Sequence, residues 1–399
     1  MSRWGRLVPG AAFVFYLLIA LEAVIMITPF TVYFYALYAP VLTRLEGTPW
    51  TAWLTAFFLP HITYTGDTIL TALAWLGPVL LTLGLGTFLV CAGQVYSAKL
   101  LRRGVVSGGL YRRIRHPQYL GLGLAGLGLL LYWPRFILLL LYLSMLFVYY
   151  LLARHEEVRM EVRFGEAYRR YRDATWMFLP GEPGGRLFSW LFGWTGRRGW
   201  ALTAAYVTVL VLGTGVAFGL RAYSLSRTPI VRYSERLSTV SLSPAGGAAI
   251  ERTVATAIAS PEVAALLAKF HRQPDHTLVA YIVPKAYMMQ HLIADLGEHE
   301  AHHGKEQQTG FAAVVCHLGE MYALAPLRQL RDGALSPEKR IIFTEAMTAA
   351  GSSVPVSRAL DAGVLRFPLF FAELDGEGVS LAMETPRRHS WGTIPVPAF

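Results

Sequence analysis

The chain reads as an all-α multispan membrane domain with about five transmembrane helices, followed by a small α+β soluble C-terminal domain. Three observations predict this. The composition is 54% hydrophobic and only 16% charged, where a soluble domain carries about a quarter charged residues. Apolar runs cover about 8–40, 69–96, 117–131, 136–153 and 200–220, most of them near the ~20 residues that cross a bilayer; the third is short. From about residue 225 the composition turns ordinary and soluble, with Ser-Pro and Asp-Gly punctuation.

The first run is interrupted only by Glu22 and prolines, and it exceeds the roughly 7–15 apolar residues of a signal-peptide core. It is therefore expected as a retained helix, kinked at Pro29. A carboxylate inside a span, such as Glu22, is a functional candidate by default; the competing reading is a protonated acid bonded to a neighbouring helix. Gly84, Gly86 and Gly93 in the second run suit close helix packing. Trp133-Pro134 predicts the turn of a helical hairpin between the third and fourth runs. The Pro/Gly-dense stretch 180–185 cannot continue a helix, and it ends the first module. The expected organisation is a membrane core over 1–185, a linker plus fifth helix over 186–224, and a separate domain over 225–399.

Within the last domain, Ser260-Pro261-Glu262 and Ser336-Pro337-Glu338 each supply a cap, a proline at the first helical position and an early acid, so two helices are expected there. The segments 364–374 and 379–383 flank Asp375-Gly-Glu-Gly378, a hairpin signal. His291, His299, His302, His303 and His317, with Glu298 and Glu300, include a spacing that zinc accepts on one helix face. They lie in a polar, glycine-bounded stretch that reads as a loop, and no metal site is assigned. Gly121, Gly123 and Gly126 lie inside a span with no preceding strand, which excludes a dinucleotide fingerprint.

The net charge of +10 does not point to nucleic acid, because most basic residues sit beside the spans, where they set orientation. Arg3 and Arg6 form one group, Lys99 to Arg115 a second, and Arg169 to Arg198 a third. All three are expected on the cytosolic side, and five crossings then send the C-terminal domain to the opposite side. The two cysteines, Cys91 in a span and Cys316 in the tail, are not expected to pair.

Two polar clusters stand out. Gly108-Gly-Leu-Tyr-Arg-Arg-Ile-Arg-His-Pro-Gln-Tyr-Leu-Gly121 opens the third span, and Arg154-His-Glu-Glu157 leads into Phe164-Gly-Glu-Ala-Tyr-Arg-Arg-Tyr171 after the fourth. Pro117 suits the first turn of a helix and disfavours helical backbone at His116. Arg115 and His116 thus sit at a span's mouth, where free amides and partial positive charge receive a carboxylate. Glu156 and Glu157 favour a bound cation. They differ by about 100° around a helix, so one can face a pocket while the other pairs with Arg154, Arg159 or Arg163. Tyr111, Tyr119, Tyr168 and Tyr171 offer rings for a base or a cation, and Gly108, Gly109 and Gly121 allow close approach to the backbone. A carboxylate, an ammonium, a sulfonium and an adenine occur together in S-adenosylmethionine.

Residues from about 100 to 180 resemble the isoprenylcysteine carboxyl methyltransferase and phospholipid N-methyltransferase superfamily of integral membrane methyltransferases. The resemblance rests on Leu110-Tyr111, Arg115-His116-Pro117-Gln118-Tyr119-Leu120-Gly121, a hairpin, Glu156-Glu157, Phe164-Gly165, Tyr168, Tyr171 and Pro180, in that order. It implies an S-adenosylmethionine-dependent methyltransferase that binds its cofactor from the cytosol and takes a membrane lipid or another hydrophobic acceptor laterally. The cofactor-binding candidates are Gly109, Tyr111, Arg115, His116, Pro117, Tyr119, Gly121, Glu156, Glu157, Tyr168 and Tyr171. Arg115, His116, Glu157 and Arg172 are the catalytic candidates. The chain departs from many relatives at Met177, where they carry an arginine, which puts carboxyl methylation in doubt and leaves an amine, thiol or other lipid group open. A sterol-reductase-like membrane oxidoreductase and a non-catalytic anchor for the C-terminal domain are the alternatives.

Overall fold

A computed structural model describes residues 4–36, 39–60, 66–101, 106–181, 184–242, 245–270, 276–285, 338–376 and 378–385. Two units emerge, one from 1–37, 79–130 and 138–214, the other from 38–78, 131–137 and 215–399.

The helical region comprises α1 (Trp4–Tyr35), α2 (Ala39–Glu46), α3 (Thr68–Leu100), α4 (Pro117–Tyr132), α5 (Phe136–Phe164), α6 (Glu166–Asp173), α7 (Gly184–Phe192) and α8 (Arg198–Arg227). Among the described residues, Leu17–Tyr35 of α1, together with α3, α5 and α8, is long and apolar enough to cross a membrane. Large apolar side chains such as Leu83, Leu89, Val90, Val211 and Leu212 are exposed, as suits surfaces that face lipid. The protein is a multi-pass membrane protein.

The expected first run divides in two: α1 continues as helix through Pro29 and ends at Tyr35, and Ala39–Glu46 is a separate short helix. Pro40 stands in the first turn of the latter, where a missing N–H costs nothing. The expected third span is α4, 16 residues long, about 24 Å at 1.5 Å per residue, and it is not among the helices long enough by themselves to cross. The fourth outruns its expected end, because Arg154–Arg163 is built of good helix formers; Gly165, at φ +55°, breaks it.

In the first unit, glycines bring α3 and α4 together. A Cβ on Gly84 would lie 2.3 Å from the Ala125 amide nitrogen, and one on Gly121 would lie 2.8 Å from that of Phe88. Gly86 and Gly93 meet nothing within 4 Å, so only Gly84 of the expected trio serves close packing. On the other face of α4, Gly126 meets Met145 and Tyr142 of α5. Tyr33 of α1 donates to the Gly126 carbonyl at 2.9 Å, and the Tyr149 hydroxyl accepts from the Phe30 amide at 3.1 Å. Tyr206 of α8 meets Ser144 at 2.7 Å, and its ring lies tilted against that of Phe147 of α5.

The second unit contains a six-stranded sheet in sequential order: β1 (Ile230–Arg232), β2 (Leu237–Ser241), β3 (Thr277–Pro284), β4 (Lys339–Thr348), β5 (Val364–Leu374) and β6 (Val379–Glu384). All neighbours are antiparallel except β2 and β3, which a crossover through α9 (Gly247–Ala259) and α10 (Pro261–Phe270) connects. Leu278, Ala280 and Ile282 pack with Ile250, Val254 and Leu267 of these helices. Val279, Tyr281 and Val283 alternate onto the opposite face, with Val240, Ile342 and Phe371. Burial on both faces explains the apolar run along β3.

Ser260 caps α10 as expected, its hydroxyl accepting from the Val263 amide at 3.3 Å. The helix expected after Ser336-Pro337 does not form: Lys339 opens a ten-residue strand paired on both sides. The β-branched and aromatic run Ile341-Ile-Phe-Thr344 outweighs the cap signal. The hairpin forms where expected, with Asp375 accepting from the Gly378 amide at 3.1 Å.

Helix α3 also begins in this unit. Its cap is Asp67, which accepts from the Ile69 and Leu70 amides at 3.0 Å and from the Tyr223 hydroxyl at 2.9 Å. The Leu70 amide bond leads the effects that hold the Asp67 carboxyl below its ordinary range. Arg221 donates to the carbonyls of Phe57 and Leu360, tying α8 to the 52–58 loop and to the sheet domain. The histidine-rich stretch 291–317 and Cys316 lie outside the described residues; Cys91 carries a buried free thiol.

The glycine contacts give a paired test. Gly84→Ala in the detergent-solubilised protein should lower stability by about 1–3 kcal/mol through overpacking against backbone. Gly86→Ala, which gains helix propensity without a contact, should leave the melting temperature unchanged or raise it.

Candidate functional site

Both polar clusters fold to one place in the first unit. The third and fourth spans form a hairpin, so the start of α4 and the end of α5 lie at the same end. A 3₁₀ turn over Gly109–Arg112, with Gly109 at φ +62°, delivers Tyr111 to the interior. The chain then runs beside the strap after α6. The Arg115 amide donates to the Trp176 carbonyl at 2.8 Å, the His116 amide to the Met177 carbonyl at 3.1 Å, and the Trp176 amide to the Arg113 carbonyl at 3.0 Å. This short parallel ladder fixes the backbone ahead of Pro117, which takes the first position of α4.

Arg115 pins the arrangement. Its Nε donates to Glu157 Oε1 at 2.7 Å, and its Nη1 donates to the carbonyls of Arg172, at 2.7 Å, and Thr175. Glu157 also accepts from Arg154 at 3.1 Å, and its side chain is only 5% exposed. Of the twin acids, Glu157 therefore turns into the protein and pairs with arginines. Glu156, 42% exposed, stays open and accepts from the Tyr119 hydroxyl.

The buried His116 ring lies between them, Nδ1 3.5 Å from Glu156 Oε2 and Nε2 3.7 Å from Glu157 Oε1. Its buried Nε2 makes no hydrogen bond of ordinary length and faces the Glu157 carboxylate. Burial pushes the imidazole pKa down, but hydrogen bonding to and attraction by Glu156 and Glu157 outweigh it, and the net direction is up. A wall of rings surrounds this centre. Tyr119 stacks between His116 and Tyr149, at 5.7 and 4.9 Å, and Phe178 lies 6.0 Å from His116.

Tyr111 donates to Gln118 at 2.7 Å, and Tyr171 donates to the Tyr111 carbonyl at 2.7 Å. The Tyr168 and Tyr171 rings are 6.0 Å apart. Burial raises the Tyr111 phenol, and it pushes Tyr168 and Tyr171 up to about 12, with the Glu157 charge adding at Tyr168. All three remain protonated donors at neutral pH.

The remaining candidates fall elsewhere. Gly121 faces α3 backbone, and so serves helix packing in this structure. Arg172 directs its guanidinium to Glu161 at 2.7 Å and Asp173 at 3.4 Å; only its carbonyl reaches Arg115. Hydrogen bonding to Asp173 leads the effects that raise its pKa. Glu22 is ion-paired with Lys99 and with Arg159, the latter at 3.1 Å. It is thus a charged, bridging group rather than a protonated acid in mid-span. The sequence reading missed the strap's backbone role, and it missed Gln94, whose amide covers Gly109. A polar residue in an apolar span was the available signal for Gln94.

The donor set suits a zwitterionic, aromatic ligand. It offers an open carboxylate at Glu156, a buried imidazole between two carboxylates, aromatic rings, and a glycine turn without a side chain at Gly109. Among the described residues no group of three or more His, Cys, Asp or Glu could hold a metal ion.

Residues 67–167 match the phospholipid methyltransferase family, part of the superfamily of membrane methyltransferases that includes the isoprenylcysteine carboxyl methyltransferases. The match runs from the cap of α3 into α6 and spans about a quarter of the chain. No curated protein and no solved structure matches the chain.

Two outcomes test this geometry. Glu157→Gln strands the Arg115 guanidinium and should cost about 3–5 kcal/mol, the usual penalty for breaking a buried pair, in chemical or thermal unfolding. His116 has its pKa raised from 6.5, so its contribution is fully present below pH 6.5 and is lost as pH rises through the folded value. His116→Asn should flatten that decline in melting temperature on the alkaline side.

Proposed function

We propose that the protein is an S-adenosylmethionine-dependent methyltransferase acting on a lipid-borne nucleophile. The observation that carries this reading is the convergence of His116, Glu156 and Tyr119 on one centre, a buried imidazole beside an open carboxylate and a phenol. The family match over 67–167 supports it independently. The bound cofactor would supply a methyl group on a sulfonium, transferred by direct displacement.

In this reading Glu156 holds a cationic or hydroxyl part of the cofactor. The His116 ring, held between Glu156 and Glu157, lines the site beside them. Tyr111, Tyr119, Tyr168 and Tyr171 supply rings, while Gly109 and Pro117 shape the backbone around the ligand. Arg115, Glu157 and the Arg172 carbonyl position these groups through the strap. Such a displacement needs no protein nucleophile, so alignment and exclusion of water are the site's main contributions.

The acceptor that fits best is an amine on a phospholipid headgroup rather than a prenylcysteine carboxylate. Met177 is buried in the strap and offers no cation to a carboxylate, and Arg172 is engaged by Glu161. Glu156 is the open carboxylate that could take the proton an ammonium acceptor must lose before attack.

Purified full-length protein in nanodiscs should retain S-adenosylmethionine and show no retention of a nicotinamide dinucleotide. The reverse result would favour a reductase. Glu156→Gln and Tyr119→Phe should each weaken cofactor binding, on the order of tenfold for one lost charge-assisted hydrogen bond, while Arg172→Ala should leave it nearly intact. With labelled methyl donor, phosphatidylethanolamine should be labelled in preference to a prenylcysteine. The flanking arginines support a cytosolic site with the sheet domain on the opposite side; a reporter at the C-terminus that proved cytosolic would refute that topology.

A further inference from the structure

Among the described residues, much of the apolar surface of helix α7 stays exposed. Leu187, Trp190 and Leu191 fall at i, i+3 and i+4, the spacing of a single stripe, and Trp194 follows in the 3₁₀ turn Gly193–Thr195 after the helix. No residue of α7 is buried, and Trp190 and Trp194 are 78% and 82% exposed. The half-buried Phe188 and Phe192 touch each other, with ring centroids 5.7 Å apart. The stretch 184–200 holds Arg186, Arg197 and Arg198, all exposed, and no acid.

The location decides what covers the stripe. Five residues separate the end of α7 from α8, a reach of at most about 18 Å. Gly196, at φ +64°, keeps the two from fusing into one helix. Helix α7 therefore lies at the level where α8 enters the bilayer, and its exposed tryptophans continue through Trp200 into the exposed apolar surface of α8. Tryptophan prefers that level, and a short helix with an apolar stripe and flanking arginines binds in the plane of the headgroups.

We infer that α7 and the turn after it dock flat on an anionic lipid leaflet, Leu187, Trp190 and Trp194 entering the acyl boundary and Arg186 and Arg197 meeting lipid phosphates. The docking has a structural consequence. Helix α7 follows the strap whose carbonyls hold Arg115 and His116, so the leaflet anchors the chain on the C-terminal side of that strap. This consequence does not depend on which group is methylated.

The test uses the full chain in nanodiscs of phosphatidylcholine alone or mixed with phosphatidylglycerol. With Cys91→Ala and Cys316→Ser, single cysteines at 187, 190 and 194, and at 185 and 189 on the other side, carry an environment-sensitive fluorophore. Lipid-borne nitroxide should quench the first group, and aqueous iodide should quench the second. Labels at 187, 190 and 194 that iodide reaches as readily as those at 185 and 189 would overturn the inference. Shielding from both quenchers would overturn it too, because it would mean that a protein surface, such as a second copy, covers the stripe. Hydrogen exchange of 184–195 in the unaltered protein gives a second readout. It should slow when phosphatidylglycerol is present, and Arg186→Gln should reverse this about fivefold, the factor equivalent to ~1 kcal/mol per basic residue at an anionic surface. Equal exchange in both lipids would refute the anionic preference.

Discussion

The buried pairing of Arg115 with Glu157 is the constraint on which the rest of the candidate site depends. A guanidinium with five fixed donors can serve three acceptors at once, and here it serves a carboxylate from α5, a carbonyl at the end of α6 and one from the strap. Three segments distant in sequence are thereby held at fixed spacing. His116, next in the chain, inherits its place from that anchor. Its ring comes to rest between two carboxylates, one consumed by arginines and one open. The two acids thus acquire different tasks from their environments, although they are neighbours in sequence.

The same logic extends along one end of the helices. The C-terminal end of α3, the start of α4, the end of α5 and the start of α8 all lie at that end, because successive helices alternate in direction. Lys99, Arg115, His116, Glu156, Glu157 and Arg159 gather there, and Glu22 of α1 joins them through Lys99 and Arg159. Charges that would be costly inside hydrocarbon are stabilised by mutual pairing at the bilayer edge. Below this level the helices pack through glycine and through tyrosine hydroxyls aimed at backbone carbonyls, contacts that work without any gain from excluding water.

The second unit solves a different problem. Its sheet is covered on both faces, so β3, β4 and β5 carry apolar side chains in both directions. Arg340 and Glu373 pair across adjacent strands in this interior, and Lys285 reaches the same carboxylate at 3.2 Å. Arg340 and Lys285 together hold the Glu373 carboxyl below its ordinary range, against the opposing effect of burial. Arg221 near the end of α8 ties the last membrane helix to the sheet domain through the Leu360 carbonyl.

The sequence by itself determined the membrane class, the helical hairpin and the β5–β6 hairpin, because apolar run length and turn chemistry are local properties. It also marked the residues of the candidate site, since polar groups stand out against apolar runs. Local signals failed where pairing over distance was decisive. Ser336-Pro337 announced a helix, yet the following residues became a strand once neighbours on both sides supplied ladder bonds. Glu22 looked solitary because Lys99 and Arg159 lie 77 and 137 residues away. Only the tertiary structure decided which twin glutamate faces outward, that Arg172 contributes its carbonyl to the Arg115 network, and that Gly121 packs against α3. Each of these follows from which side chain reaches a partner first in a crowded, low-dielectric interior, and sequence spacing carries no record of that.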